Sequence, residues 1–350
     1  CAKEEDQGGI ERRMQYLKEL RKNKPNLLLV DTGDHFKEPT RQGKLKAETL
    51  MKATEKMNYD SVALGERDLV YGSRFLESLP IPFVTGNIEL ENFPLKKSRI
   101  KEFNNGLKVA TLSVVDPALF YFKNHTGLKV PDPDQFVSKE IFQIQESNPD
   151  LIILLTHMDK KKALKYLDKE GVDIVINGHL NSETDTVDMK PVYKGEKIFV
   201  QASPRGQKMG EIKINLDENK IITFNHRMVR LDSSIKNDPE MLKLYEGYNE
   251  KIEAMFFENL AAKRNKDKAS VFAGETVCKN CHPAAHEKWS TSRHGRAYET
   301  LRKINKAFDP ECLVCHVVGY NTPSGFISEL DTPGLKNVQC EVCHGPGKKH

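Results

Sequence analysis

The strongest chemical signal in the sequence is three pentapeptides near its carboxyl end: CKNCH at 278–282, CLVCH at 312–316 and CEVCH at 340–344. Two thiols three positions apart can each add to one vinyl group of a haem. The histidine that follows then reaches the iron from the same side, which is the c-type attachment pattern. The spacing assigns Cys278, Cys281 and His282 to one haem, Cys312, Cys315 and His316 to a second, and Cys340, Cys343 and His344 to a third. Zinc also uses cysteine pairs at this spacing. Two pairs complete a tetrahedral site, however, so three leave one over, and zinc does not require a histidine after every pair. A disulfide framework is a third reading, but cysteines this close usually serve redox or metal sites.

Each iron has a second axial position, and the same segment holds three further histidines: His286, His294 and His350. This invites bis-histidine ligation. His286 stands four residues past His282 on a predicted helix, so it faces the same way and is the weaker candidate. His294, in WSTSRHGRAYETL, and His350, after GPG, are the better ones. The segment has few large aliphatic side chains and is rich in glycine and proline (GYNTPSGF, DTPGLKN). Alone it would bury little surface and be marginally stable, so the porphyrins are expected to serve as its core.

ETVCKNCHPAAHEKWSTSRHGRAYETL, FDPECLVCHVVGYNTPSGF and VQCEVCHGPGKKH resemble the cytochrome c554-like multihaem family over 272–350. The resemblance implies that His294 and His350 are distal haem ligands, while His286 matches no ligand position. One haem would then take its distal histidine from elsewhere. A fourth haem, which members often carry, is absent or lies outside this sequence.

A second set of donors is spread over the first 230 residues. Asp34, Glu66, His157 and His179 each end a strand-like run: NLLLVDTGD, SVALGERD, LIILLTH (151–157) and DIVINGH (173–179). A continuous apolar run closing in an acid and a glycine or turn is how a buried strand delivers its carboxyl end to a site. Further strands are expected at 107–116, in KIFVQAS and in GEIKINLD. Helices are expected at 10–23 and 47–57, and one long helix at 238–264, with Asp238 as N-cap and Pro239 in its first position. That helix would be either a strut between domains or a helix packed back on the first one. KRNKDK (263–268) reads as a loose joint.

This half resembles the calcineurin-like metallophosphatase domain of the 5′-nucleotidase family. The similarity lies in QGGIERRMQYLKELRKNKPNLLLVDTGDHF, YDSVALGERDLVYG, ILLTHMD and DIVINGHLNSET. It implies an α/β fold, a two-sheet αββα sandwich, and a two-metal centre in which Asp34 is the bridging aspartate. Several positions depart from the pattern. Glu66 stands for the second metal's asparagine, Arg67 for the catalytic histidine and Asn181 for a histidine of the first metal. That metal's Asp-x-His motif, on an earlier strand, is not in this sequence. Asp34, Glu66, His157 and His179 remain as a residual divalent-ion site. Arg67 cannot act as an acid, because guanidinium keeps its proton, so the expectation is a degenerate phosphatase domain, with an active metal-dependent nucleotidase as the alternative. A further alternative is a haem enzyme with one five-coordinate iron.

The expected domains are a metallophosphatase-like one at 1–232, a helical linker at 233–270 and a multihaem one at 271–350. The charges, 54 basic and 50 acidic with a net of +4, are too even to argue for nucleic acid. No run approaches the roughly 18 apolar residues of a membrane helix. Cys1 leaves open a lipid anchor or a chain start set by what was sequenced. Thioether attachment of haem happens outside the cytoplasm, so the expected location is periplasmic or cell-surface. The expected function is electron transfer among three c-type haems. The expected partners are other multihaem cytochromes or redox proteins, including a homo-oligomer or filament of this chain.

Overall fold

Leu151–His157 has no exposed face, since every side chain in it is buried. Alternation along a strand sends Ile152 and Leu154 into one apolar cluster and Leu151, Ile153 and Leu155 into another. A sheet built on such a strand has to be covered on both sides. The computed structural model describes residues 6–91, 93–94, 96–120, 127–180, 188–216, 222–264 and 269–350. It forms two compact units, Cys1–Tyr245 and Glu246–His350.

In the first unit, α1 (Ile10–Asn23) leads into a parallel sheet of β1 (Val30–Asp31), β2 (Ser61–Ala63) and β3 (Phe83–Val84). α2 (Arg41–Lys56) and α3 (Ser73–Glu77) are the intervening helices. β4 (Glu89–Leu90) pairs with β7 (Leu128–Lys129). The larger sheet contains β5 (Ser98–Glu102), β6 (Lys108–Val115), β8 (Leu151–His157), β9 (Ile174–Asn177), β10 (Val192–Lys194) and β11 (Lys197–Gln201), in the order β10-β11-β9-β8-β6-β5. Its four inner strands are parallel and its edge strands antiparallel. A hairpin of β12 (Lys208–Leu216) and β13 (Ile222–Arg230) follows.

The layers follow from which side chains meet. Met14, Leu17, Ala47 and Met51 of α1 and α2 pack with Val62 and Phe83 on the outer face of the small sheet. Ala63 and Val30 meet Val109, Ile153, Ile174 and Val200 between the sheets. α4 (Pro133–Gln145) and α5 (Lys160–Leu164) cover the far face, where Val137, Ile141 and Ala163 join Leu112, Leu154 and Val175. The result is the αββα sandwich expected from the sequence. β1 is shorter than NLLLVDTGD suggested because Asp60 takes over at Leu29. The Asp60 carboxylate accepts the Leu29 N–H at 2.7 Å, and the Asp60 N–H donates to the Leu29 carbonyl at 2.8 Å.

α6 (Pro239–Arg264) begins where expected. The Asp238 carboxylate accepts the N–H groups of Glu240 and Met241, each at 3.1 Å, and Lys18 Nζ lies 2.5 Å from its other oxygen. Met241 is fully buried in the first unit's core, and the division between the two units falls inside this helix. The second unit continues with short helices: α7 (Glu275–Cys281), α8 (Pro283–Thr291), α9 (Ala297–Lys303), α10 (Pro310–His316) and α11 (Cys340–His344). Its buried apolar side chains include Ile252 and Leu260 of α6 and Tyr298, Leu301, Leu313, Val318 and Phe326 beyond it, with the Tyr298 and Phe326 rings 5.7 Å apart between centres.

Candidate functional site

The carboxyl ends of β1, β2, β8 and β9 bring Asp34, Glu66, His157 and His179 together. One donor atom from each lies within 4.8 Å of all the others. His157 Nε2 is the centre of the set, at 3.0 Å from Glu66 Oε2, 3.3 Å from Asp34 Oδ2 and 3.2 Å from His179 Nδ1. Its other nitrogen, Nδ1, lies 3.0 Å from the Thr32 carbonyl. A carbonyl can only accept, so Nδ1 carries the proton and Nε2 is left to face three electron-rich donors. Such an arrangement needs a positive charge at its centre. Burial alone would lower His157, but Asp34 and Glu66 override it and raise the imidazole to about 10. Burial likewise pushes Asp34 up, while His157 and the Arg67 N–H hold it below its ordinary value.

The backbone is shaped to permit this convergence. Gly33 and Asp34 both have positive φ, +88° and +65°. A Cβ on Gly65 would lie 2.3 Å from Asp34 Oδ1 and 3.0 Å from His157 Cε1, so only glycine fits there. The donor set of two carboxylates and two imidazoles, one oriented by a carbonyl, fits a divalent ion. Arg67 stands at the rim, its Nε 3.7 Å from both Asp34 Oδ2 and Glu66 Oε1. Asn181 lies outside the described residues, as does Cys1.

Three residues behind these donors were not picked out by the sequence reading. Asp68 is fully buried and accepts the N–H groups of Asp34 (2.8 Å), His35 (2.7 Å) and Gly65 (2.8 Å). It therefore fixes both metal-facing loops at once. His35 sits between Asp68 Oδ1 (3.2 Å) and Asp31 Oδ1 (3.0 Å). Burial would lower it, but the two carboxylates raise it well above its ordinary value. The signal available for Asp68 was its place at the end of GERD, next to Glu66 and Arg67. On the other side, buried Asn177 donates to the carbonyls of Met158 (3.0 Å) and His179 (3.3 Å) and to Gln201 Oε1 (2.9 Å). Those bonds hold the β8 and β9 ends in place.

In the second unit each pentapeptide lies at the end of a short helix or along it, so its two thiols share one helical face. The first thiols, Cys278, Cys312 and Cys340, are partly buried, and the second, Cys281, Cys315 and Cys343, are exposed. His282, His344, His294 and His350 are also exposed, and His316 partly so. These faces fit a large planar group that covers them when bound. His316 Nδ1 lies 2.7 Å from the Ala297 carbonyl, so it carries the proton and Nε2 is free to ligate. Among the described residues, the six thiols join no converging set of three or more metal donors. His286 is bonded to Glu275 and lies tilted against Trp289, 5.3 Å between ring centres. It is therefore engaged in holding α7 to α8. The first and third pentapeptides are neighbours. The Cys278 thiol is pushed up by burial and by the nearby Cys340 thiol and Glu341 carboxylate.

The family described as Calcineurin-like phosphoesterase matches residues 6–182, and the family described as Cytochrome c554 and c-prime matches residues 277–345. The chain is similar to 5′-nucleotidase of Bos taurus, 26% identical over 273 residues, 67% of this chain and 46% of the relative. Its C-terminal part is similar to cytochrome c-554 of Nitrosomonas europaea, 34% identical over 92 residues, 22% of this chain and 39% of the relative. The chain thus spans less than half the length of either relative. A solved 5′-nucleotidase precursor of Thermus thermophilus shares the fold, with a TM-score of 0.63 at 17% identity over 71% of this chain and 54% of that one. So does the sulfate thiohydrolase SoxB of Thermus thermophilus, with a TM-score of 0.59 at 14% identity over 69% of this chain and 46% of that one.

Proposed function

The chain belongs to the calcineurin-like phosphoesterase family; we propose that its working chemistry nonetheless lies in the C-terminal unit. That unit transfers electrons outside the cytoplasm by one-electron hopping between three covalently held haems. The phosphoesterase-like unit serves as scaffold or docking surface. The observation that carries the reading is the repetition of one arrangement: three helical turns, each presenting a partly buried thiol, an exposed thiol and an adjacent histidine.

Haem, when bound, supplies an iron that changes oxidation state by one electron. The chain's residues do the holding and tuning. The paired thiols would hold the haems covalently, His282, His316 and His344 would ligate their irons, and the Ala297 carbonyl fixes the orientation of His316. His294 and His350 would ligate iron as well. Partners are other redox proteins of the same kind, including further copies of this chain.

The first unit holds one divalent ion on Asp34, Glu66, His157 and His179. Two-metal hydrolysis uses one ion to make hydroxide and both to clamp the phosphoryl oxygens. In this chain Arg67 occupies the rim, a fixed cation that keeps its proton. The convergent donor set favours one second reading, a metal-dependent phosphoesterase with accessory haems.

The test is iron analysis with a pyridine-haemochrome assay on the purified chain, run beside an assay for phosphate release from a nucleotide. About three irons per chain, all as haem c, with no metal-dependent phosphate release, is the expected outcome. Colourless protein ends the electron-transfer reading. Phosphate release that is lost in Asp34→Asn moves the function to the first unit.

A further inference from the structure

We infer that the buried ammonium of Lys306 tunes the centre held by Cys312 and Cys315, favouring its reduced state. This rests on the haem reading above and bears on the order in which the centres take up electrons.

The Lys306 side chain is only 11% exposed. Its Nζ donates to Asn249 Oδ1 of α6 at 2.6 Å and to Asp309 Oδ2 at 3.2 Å. It also lies near the Tyr248 and Phe308 rings, 5.8 and 5.9 Å from their centres. Asp309 is buried in turn and caps α10, the helix of the second pentapeptide. Its Oδ1 accepts the Glu311 N–H at 3.1 Å, and its carbonyl accepts the Cys312 N–H at 3.0 Å. One carboxylate thus separates the ammonium from the turn that carries the first thiol. The chain that follows this pentapeptide is held to α6 as well. Lys263 Nζ donates to the Tyr320 carbonyl at 2.6 Å and the Phe326 carbonyl at 3.4 Å, and stands 3.9 Å from the centre of the Tyr320 ring.

Packing alone does not call for a charge at 306. An apolar side chain could fill the space between Tyr248 and Phe308 without the cost of desolvating an ammonium. A buried cation does act on a redox centre. Reduction adds one electron and lowers the charge of the centre, so a positive charge close by favours the reduced form, the more so where water is scarce. The other pentapeptides have different surroundings. Lys279 and Lys288, around the first, are exposed, where water and salt screen them. The third contains Glu341, a buried carboxylate that accepts the N–H groups of Gly347 (2.7 Å), Gly274 (2.8 Å) and Ala273 (2.9 Å). Lys306 therefore distinguishes the second centre from its neighbours.

The experiment is a potentiometric titration of the full haem-loaded chain, fitted as separate one-electron couples, with the haemochrome assay fixing the haem number. His316→Met, which moves or abolishes the couple of the second iron, marks it among the three. Lys306→Met should shift the oxidised-to-reduced ratio of that couple about tenfold toward the oxidised form, a fall of about 59 mV for one electron, and leave the other two in place. Asp309→Asn, which keeps a capping side chain, should move the same couple the other way. Both substitutions break the same ion pair, so a merely structural role would lower the melting transition in both and shift the couple in one direction. If Lys306→Met does not accumulate, Lys306→Gln, which keeps a donor for Asn249 but no charge, carries the same test. An unmoved couple, shifts of one sign in the two variants, or a shift at another centre overturns the tuning role. A parent that takes up no electrons removes the haem reading itself and this inference with it.

Discussion

The two units solve opposite problems with their reactive side chains. The first buries its donors: Glu66 and His157 are 8% and 2% exposed, and four strand ends converge on a space the size of an ion. The second leaves its donors at the surface, with Cys281, Cys315 and Cys343 all exposed. A small cation gains from a converging, water-poor cage whose ligands are held by a second layer. A large planar group needs an open face and becomes the cover itself. The first unit is built on its own apolar layers; how far the second relies on a bound group is for experiment to separate.

The sharpest way to break this contrast is to remove one attachment pair. Cys312→Ser with Cys315→Ser should lower the haem count from three to two and leave the second unit open to proteolysis, while the first unit stays intact by limited digestion. A second unit that stays protease-resistant without its haem would show that the polypeptide alone suffices. In the first unit, Leu154 is fully buried. Leu154→Ala should cost about 2–5 kcal/mol, read as a fall in the first unit's melting transition with an unchanged haem spectrum. A change in the haem spectrum would mean that the units are not independent.

A smaller effect tests the cage. Asp68→Asn keeps the shape but weakens the acceptor that fixes the loops of Asp34 and Glu66. Manganese affinity by calorimetry should fall roughly 10–100-fold, with the haem spin states untouched. Equal affinity would show that the loops are held without it. The mildest is Asp238→Ala at the start of α6, where loss of the cap should cost about 1 kcal/mol. Burial pushes the Asp238 carboxyl up, but Lys18 and the Met241 N–H bring it below the ordinary 3.8. Its contribution is therefore complete above that value and disappears as pH falls through the lower, folded one. The stability gap between parent and variant should close in acid and be constant near neutrality.

Parts of this were legible in the sequence for simple reasons. Leu151–His157 and the 107–116 run announce themselves because both faces are apolar. The pentapeptides do so because their spacing is the chemistry. Asp238 and Pro239 mark a helix start on local grounds. What stayed hidden acts at a distance on backbone N–H groups. Asp68 and Glu341 each gather three such donors, and no periodicity shows that a carboxylate has partners some 70 residues away in sequence, as Glu341 has at 273 and 274. β1 was overread because Asp60 intervenes at Leu29, which only the fold makes visible.

The account stands or falls on where electrons can be put. The most direct measurement is a potentiometric titration of the purified chain, followed in the haem absorption bands and referred to its iron content. The account predicts one electron taken up per CxxCH pentapeptide, in reversible one-electron steps, and the same titration from an Asp34→Asn chain. Uptake of no electrons, or iron bound without thioether-linked haem, would contradict it.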